Sequence, residues 1–305
     1  MSDFQTLTFI KQELARRGLR PTKGLGQHFL IDGNLLRLMV EAAGVGQKDL
    51  VLEVGCGTGG LTALLAERAG HVVAVELDRQ LLEIAHEVLA ETDTVTFWPG
   101  DVLAGKHALA PELLELITQL LTERAGSTLK MVSDLPYSVA MPVTINLWES
   151  ELPLELMVVT IQRELAEKVV ARPGSRAYGA LTVKLAVWAE AEILRVLRPS
   201  VFWPRPQVDS AFVRMRRRER PLVSRAHYGR FSQLVDLLFR HRRKTSARAL
   251  QLAAKELEAE TEVAASPAEA GAETRRVEQL TMADLIALAR AFKPHTHGHT
   301  ASGQG

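Results

Sequence analysis

The sequence predicts an α/β fold, a mainly parallel sheet wound by helices, followed by a small C-terminal helical domain. Three observations point there. Short Val-rich runs alternate with helical stretches between Val51 and Val159, the first of these runs feeds a glycine-rich turn, and the pattern becomes Arg-rich after Pro204-Arg205-Pro206. Strands alternating with helices imply parallel strands joined by crossover connections. A length of 305 residues suits two domains, at about 100–200 residues each.

Taken in order, residues 1–20 carry Phe4, Leu7, Ile10 and Leu14 at roughly helical spacing and read as an amphipathic helix. Strands are expected at VLEVG (51–55), VVAVEL (72–77), VTFWP (95–99), LKMVSDL (129–135) and LELMVVTI (154–161), with helices at 59–69, 78–91, 107–125 and 141–149. The expected division is an N-terminal helical extension over 1–22, a sheet domain over 23–206, a helical domain over 207–293 and a disordered tail over 294–305. Residues 256–275 are rich in Ala and Glu and read as a solvated helix broken at Pro267 and Gly271, or as a linker. The tail histidines His295, His297 and His299 are not expected to hold a metal, and no metal site is expected elsewhere.

Composition narrows the class. Hydrophobic residues make up 47% and charged residues 24%, an ordinary soluble balance. No apolar run reaches the roughly 18 residues that would span a bilayer, and the first residues lack the pattern of a signal peptide. The single cysteine, Cys56, excludes an internal disulfide and fits a reducing cytoplasm. The net charge of +1 conceals an asymmetry. Between Arg214 and Arg248 twelve Lys/Arg face only Glu219 and Asp236, a surplus of ten positive charges, so the rest of the chain sums to nine negative. Such a basic segment points to a polyanion partner, although a solvated helix face would read the same way.

VLEVGCGTGGLT (51–62) is a strand, a glycine turn and a helix start. Gly55, Gly57 and Gly59 let the backbone approach a ligand where a Cβ would collide. Gly55, Gly57 and Gly60 also satisfy the dinucleotide pattern, so the loop alone does not separate nicotinamide cofactors from other nucleotides. Glu76, ending the second strand, can accept ribose hydroxyls, or can merely cap the helix that follows. Asp101, after the third strand, can accept from an adenine amine. Acids at successive strand ends favour S-adenosylmethionine over a dinucleotide.

Asp134-Leu135-Pro136-Tyr137 follows the fourth strand. The exocyclic amine of adenine is a poor nucleophile, its lone pair being delocalised into the ring. A side-chain oxygen at Asp134 and the Leu135 carbonyl, turned inward by Pro136, can each accept one N–H and stabilise the charge that develops on methylation. Tyr137 can stack on the base. The alternative is a plain proline turn with a buried tyrosine.

With these residues in view the chain resembles the ribosomal RNA adenine N6,N6-dimethyltransferases, most nearly the type acting on small-subunit (16S) rRNA. The resemblance runs from about residue 23 to 292. It is carried in order by KGLGQHFLID (23–32), VLEVGCGTGGLT (51–62), VELD (75–78), GDVL (100–103), SDLPYS (133–138), IQRELAEKVVARPGSRAYGALTV (161–183), FWPRPQVDSAFVRM (202–215) and RHRRKTSARAL (240–250). It implies a Rossmann-like S-adenosylmethionine-dependent methyltransferase sheet, a flipped-out adenine as acceptor, and a monomer working on an immature small ribosomal subunit. It implies cofactor contacts at His28, Leu30, Gly55, Glu76, Asp101 and Asp134, to which the glycine loop adds Gly57. The cations Arg240, Arg242, Arg243, Lys244 and Arg248, placed by helical spacing on successive turns, suit the phosphates of folded RNA.

The chain departs from the family pattern where it has His28 and Asp134 in place of Asn, and Ser133 in place of Gly. A carboxylate is the stronger acceptor for a nitrogen becoming positive, so activity is expected to persist. Residues 104–128 read as longer than the family norm, an added surface helix. Phe202 and Trp203 are expected to fill a domain junction rather than stack on the target base. Gln162-Arg163-Glu164 and Arg176-Ala177-Tyr178-Gly179 fit either RNA contact or loop stabilisation. Two other classes remain open: an RNA-binding ribosome-assembly factor without catalysis, and a large-subunit rRNA methylase. A nicotinamide-dependent reductase is disfavoured, since no catalytic Tyr/Lys or His set follows the loop.

Overall fold

A computed structural model of the chain describes residues 6–22, 24, 26–106, 108–256, 260–261 and 272–293. The helices are α1 (Leu7–Arg16), α2 (Gly33–Ala43), α3 (Gly60–Ala66), α4 (Arg79–Val88), α5 (Pro111–Glu123), α6 (Ala140–Glu149), α7 (Arg163–Val169), α8 (Ala180–Trp188), α9 (Arg225–Arg240), α10 (Ser246–Glu256) and α11 (Met282–Ala291). The central sheet is built of β1 (Asp49–Val54), β2 (His71–Glu76), β3 (Val95–Pro99), β4 (Thr128–Asp134), β5 (Leu154–Gln162), β6 (Ala189–Leu197) and β7 (Ser210–Arg217). Its strand order is β3-β2-β1-β4-β5-β7-β6. The first five strands run parallel, and β7 inserts antiparallel between β5 and β6.

The five parallel strands fall where the Val-rich runs place them. β1 and β2 are buried along their whole length, as expected for strands covered on both faces. α2 and α3 close one face through Leu36, Met39, Val40, Leu61 and Leu65, packed on Val51, Val72, Val132 and Val158. α1 packs Ile10 and Leu14 on Phe29, Leu81 and Ile84. The strand order reverses between β1 and β4, the point where open α/β sheets hold ligands beyond their carboxyl ends. β1 and β4 pair only as far as Leu52 with Met131. Beyond that they part, and Ser133 spans the gap: Val54 N–H donates to its Oγ at 3.2 Å and the hydroxyl donates back to Val54 O. A serine therefore holds together the two strands that frame the crevice.

Two expectations are corrected. The segment after Pro206 does not open a helical domain. β7 alternates buried Val213 and Met215 with Arg214 and Arg216, which lie more to the outside, and this period of two marks a strand. Arg214 pairs with Glu192 at 2.7 Å and Arg218 with Glu190 at 2.7 Å, while Arg217 reaches the carbonyls of Leu152 and Leu154 and lies over the Trp148 ring. Three of the twelve cations of the basic segment thus serve the sheet. The expected boundary at 206/207 also moves. The chain divides into one compact unit of Met1–Val170 with Trp188–Glu219 and a second of Ala171–Val187 with Arg220–Gly305. The helical unit thus takes residues 171–187 from within the expected sheet domain and gives up 207–219, and the N-terminal extension belongs to the first unit.

The 104–128 stretch holds α5 and a short strand pair, Leu103–Gly105 with Ala108–Leu109. Phe202 and Trp203 pair antiparallel with Phe29 and Leu30 inside the first unit; Phe202 is buried and Trp203 stacks on Phe29. Most of 257–271 and the tail from Pro294 lie outside the described residues. Among the described residues no helix is long and apolar enough to cross a membrane.

Candidate functional site

A cavity of about 280 Å³ opens at the carboxyl ends of β1, β2 and β4. All seven expected cofactor residues, His28, Leu30, Gly55, Gly57, Glu76, Asp101 and Asp134, line it. The glycine turn shapes its floor. Gly55 sits at φ +78°, and a Cβ there would meet the Pro136 ring at 2.9 Å; Gly57 sits at φ +56°, with Phe29 3.1 Å from where a Cβ would be. These positive angles favour glycine.

Glu76 ends β2 with its side chain almost buried. One oxygen accepts from Gly57 N at 2.9 Å and the other from Asp78 N at 3.0 Å. The carboxyl thus steadies the loop and the start of α4 while facing the cavity. Burial raises its pKa, and these backbone donors pull it back in part. Asp101 is exposed, lines the cavity and accepts from Leu103 N at 2.9 Å, which fixes its turn. His28 Nδ1 lies 2.6 Å from the Pro204 carbonyl. A carbonyl can only accept, so Nδ1 carries the hydrogen and a neutral ring keeps Nε2 as an acceptor. Leu30 is buried and lies on the short strand paired with Phe202.

Of the 134–137 turn, Asp134 and Pro136 line the cavity, while Leu135 and Tyr137 are not among its lining residues. Asp134, at the end of β4, is pushed up to about 7, chiefly by burial, with hydrogen bonds to the Thr160 side chain and the Leu30 backbone offsetting part of the rise. The Leu135 side chain is buried, and its carbonyl accepts no hydrogen bond among the described residues. The Pro136 carbonyl instead accepts from Val139 N and Ala140 N, starting α6. The Tyr137 hydroxyl is anchored 2.5 Å from Ser210 Oγ, and its ring lies 5.7 Å from that of His28. A ring held at its far end and flanked by an imidazole is a fixed surface for stacking.

Sequence reasoning missed Glu53. It lies on β1, 1% exposed, and lines the same cavity. Its signal was an acid inside an otherwise apolar strand, where acids are rare unless paired. Gln27 was also missed; it links Thr22 N to Asp78 Oδ2 and so ties the segment before His28 to α4. The cavity wall holds four acids, Glu53, Glu76, Asp101 and Asp134, and no Lys or Arg among the described residues. Such a wall selects a neutral or cationic ligand. A glycine floor, an acid near the end of β1, an acid ending β2 and an acid after β3 fit an adenosine linked to a cationic tail.

The five expected RNA contacts lie in the second unit, but not on one helical face. Arg240 ends α9, residues 241–245 form the turn to α10, and only Arg248 is within α10. Arg240 pairs with Glu256 at 2.8 Å and Arg248 meets Gln251 at 3.1 Å. Arg242 is tied to Glu278 at 2.9 Å and to the Arg176 carbonyl at 3.2 Å, a structural bond. Arg243 and Lys244 are exposed and make no ion pair among the described residues. The other two undecided segments have structural uses. Tyr178 is buried and donates to Leu280 O at 2.9 Å, and Arg163 bridges Glu167 and Asp209.

The family model for ribosomal RNA adenine dimethylase matches residues 19–288. Ribosomal RNA small subunit methyltransferase A of Geobacillus thermodenitrificans is 40% identical over 245 residues, 80% of each chain. The protein of the same name from Bacillus cytotoxicus is 35% identical over 304 residues, covering 97% of this chain and 99% of that one. Among solved structures, a dimethyladenosine transferase from Plasmodium falciparum superposes with TM-score 0.68 at 19% identity, over 86% of this chain and 98% of that one. The 23S rRNA methyltransferase ErmE superposes with TM-score 0.65 at 24% identity, over 86% and 98%. The two structural likenesses establish a shared fold, and the extent of the family match and of the sequence identities settles the lineage: this chain belongs to the ribosomal RNA adenine dimethylase family.

Proposed function

We propose that the chain transfers methyl groups from S-adenosylmethionine to N6 of adenines in small-subunit (16S) rRNA, giving N6,N6-dimethyladenosine during ribosome assembly. The observation that carries this reading is the four-acid cavity, with Asp134 and Pro136 of the 134–137 turn in its wall. S-adenosylmethionine supplies an electrophilic methyl group on a sulfonium. Glu76 would take its ribose hydroxyls and Asp101 its adenine amine, with His28, Leu30, Gly55 and Gly57 forming the rest of the cradle.

The target amine is the next need. Asp134 as carboxylate and the Leu135 carbonyl accept its two N–H groups, which localises the nitrogen lone pair. Methylation leaves that nitrogen positive; it then sheds one proton, for which Asp134 is the nearest acceptor in the turn. Tyr137 holds the base by stacking, its hydroxyl fixed by Ser210. In the second unit Arg243 and Lys244 supply free cations for RNA phosphates. The relatives named for the small subunit favour 16S over 23S rRNA, and a monomer acting on an immature subunit in the cytoplasm completes the reading.

Incubation with labelled S-adenosylmethionine and immature small subunits tests it. Dimethyladenosine in 16S rRNA is the expected product. RNA binding without label would instead make the protein an assembly factor, and label confined to large-subunit RNA would make it a large-subunit methylase.

A further inference from the structure

The second unit has a cavity of its own, of about 430 Å³. It is lined by the start of α9, the C-terminal half of α11 and the 222–224 segment that leads into α9. Leu222 N donates to Val187 O at 3.0 Å, which fixes that segment to its own unit. Phe231, Ile286 and Ala289 make the lining largely apolar, and Leu222 stays 38% exposed beside them. The polar lining is Ser224, His227, Arg230 and Arg290, with no acid. These charges run against the helix. The start of a helix carries partial positive charge and is stabilised by acids. α9 has no acid in its first turn, and the Ser224 hydroxyl lies 2.8 Å from His227 Nδ1 instead of capping a backbone N–H. Arg230 adds a guanidinium in the second turn, and Arg290 brings another from α11. Neither makes a hydrogen bond or ion pair among the described residues. Arg290 complements the C-terminal end of its own helix, whereas Arg230 has no such use. The group that balances them is an anion, and the apolar lining calls for one with a non-polar part.

We propose that this cavity holds one unpaired nucleotide of the RNA substrate, other than the target adenine, with Arg230 and Arg290 on its phosphate and its base against the apolar lining. This rests on the reading of the substrate as RNA. A guanidinium meets a phosphate with paired N–H donors, and the unstacked bases of RNA loops and bulges are held by their faces. An acidic protein segment would meet the two arginines but leave the apolar lining uncovered. The volume lies within the roughly 300–1,000 Å³ of small-ligand sites. Arg230 and Arg240 stand on the same helix, roughly 15 Å apart along its axis at about 1.5 Å per residue. The cavity is therefore a contact separate from Arg243 and Lys244, which follow the end of that helix.

The test is a binding assay by fluorescence anisotropy on the full chain and needs no turnover. Three RNA hairpins share one stem: fully paired, with a single bulged uridine, and with that bulge made abasic. Uridine lacks the exocyclic amine that the 134–137 turn would bind. The wild type is expected to hold the bulged uridine about 5–100-fold tighter than the abasic bulge. Arg230→Gln combined with Arg290→Gln should bring the bulged hairpin down to the paired one, lower its slope of log K against log salt by about 1–2, and leave the paired hairpin unchanged. Ala289→Leu fills the cavity and keeps both charges, so it should remove the preference for the base and keep the salt slope. A wild type that does not distinguish uridine from the abasic bulge overturns the proposal. So does a preference that survives both variants, which would place the base elsewhere in the chain. Equal losses for the paired and bulged hairpins in the double variant also overturn it, making the two arginines a general phosphate-binding face. Hexaglutamate that binds through Arg230 and Arg290, in a chain with no bulge preference, would make the cavity a protein contact instead. If the wild type binds none of the hairpins, the RNA reading itself fails; a missing bulge preference in a chain that still forms dimethyladenosine in 16S rRNA sinks the cavity proposal alone.

Discussion

Asp134→Asn isolates the cost of placing a carboxyl in this turn. The substitution keeps the shape and the acceptor for Leu30 N–H while removing the charge. With its pKa pushed from 3.8 to about 7, Asp134 is protonated in the folded chain at pH 5 and ionised at pH 8, whereas in the unfolded chain it is ionised at both. A carboxyl raised on folding favours the native state at low pH, and that advantage is lost as pH rises through the folded value. The penalty relative to a neutral side chain grows by roughly 2.5 kcal/mol between pH 5 and pH 8, at about 1.4 kcal/mol per unit. Asp134 keeps part of its surface open to the cavity, so water screens it, and about 1–2.5 kcal/mol is the working range. At about 2–4 °C per kcal/mol for a large domain, the empty variant should gain roughly 2–10 °C more in Tm over wild type at pH 8 than at pH 5. A Tm difference that is constant, or that shrinks toward pH 8, refutes the reasoning. The same variant should transfer methyl groups about tenfold more slowly at pH 8, because a neutral amide is the weaker acceptor for a nitrogen becoming positive. A rate well above wild type would show that the carboxylate does not serve the chemistry.

Other parts of the site give separate outcomes. Gly55→Ala places a methyl 2.9 Å from the Pro136 ring at φ +78°; a stability loss of about 1–3 kcal/mol and weakened S-adenosylhomocysteine binding are expected, by thermal unfolding and calorimetry. Neutralising Arg243 and Lys244 together should lower RNA affinity and reduce the slope of log K against log salt by about 1.5–2, with Tm unchanged. Arg242→Gln should instead lower Tm, since it cuts the bonds to Glu278 and the Arg176 carbonyl. Tyr137→Phe frees the ring from Ser210 and should reduce kcat a few-fold, about the worth of one hydrogen bond; Tyr137→Ala should cost far more, as the stacking surface goes too.

The parts of this molecule that were legible in the sequence are those where one local rule governs. Val-rich runs between helical stretches gave β1 to β5, because strands buried on both faces have no choice but to be apolar. Gly55, Gly57, Glu76, Asp101 and Asp134 could be assigned to one site because strand ends in a parallel sheet converge on one edge. The 210–217 segment was misread because its arginines outweighed its alternation. Their partners lie on a neighbouring strand, Glu192 22 residues and Glu190 28 residues back, and only the antiparallel register, which sets Glu192 opposite Arg214 and Glu190 opposite Arg216, brings Glu190 within reach of Arg218. The same blindness to distant partners affected 240–248, where Arg242 looked like its neighbours until Glu278 and the Arg176 carbonyl came into contact with it.

Glu53 is the reverse case. It lies inside VLEVG, just before the glycine turn. What marks it out is a lack of partners, which a sequence does not display: Thr62 aside, the groups that the fold sets around it are acids and a thiol. The nine net negative charges outside the basic segment thus have a local focus, four acids around one cavity. An apolar residue at 53 would make the chain more stable, so the carboxyl is held there at a cost that packing alone does not repay.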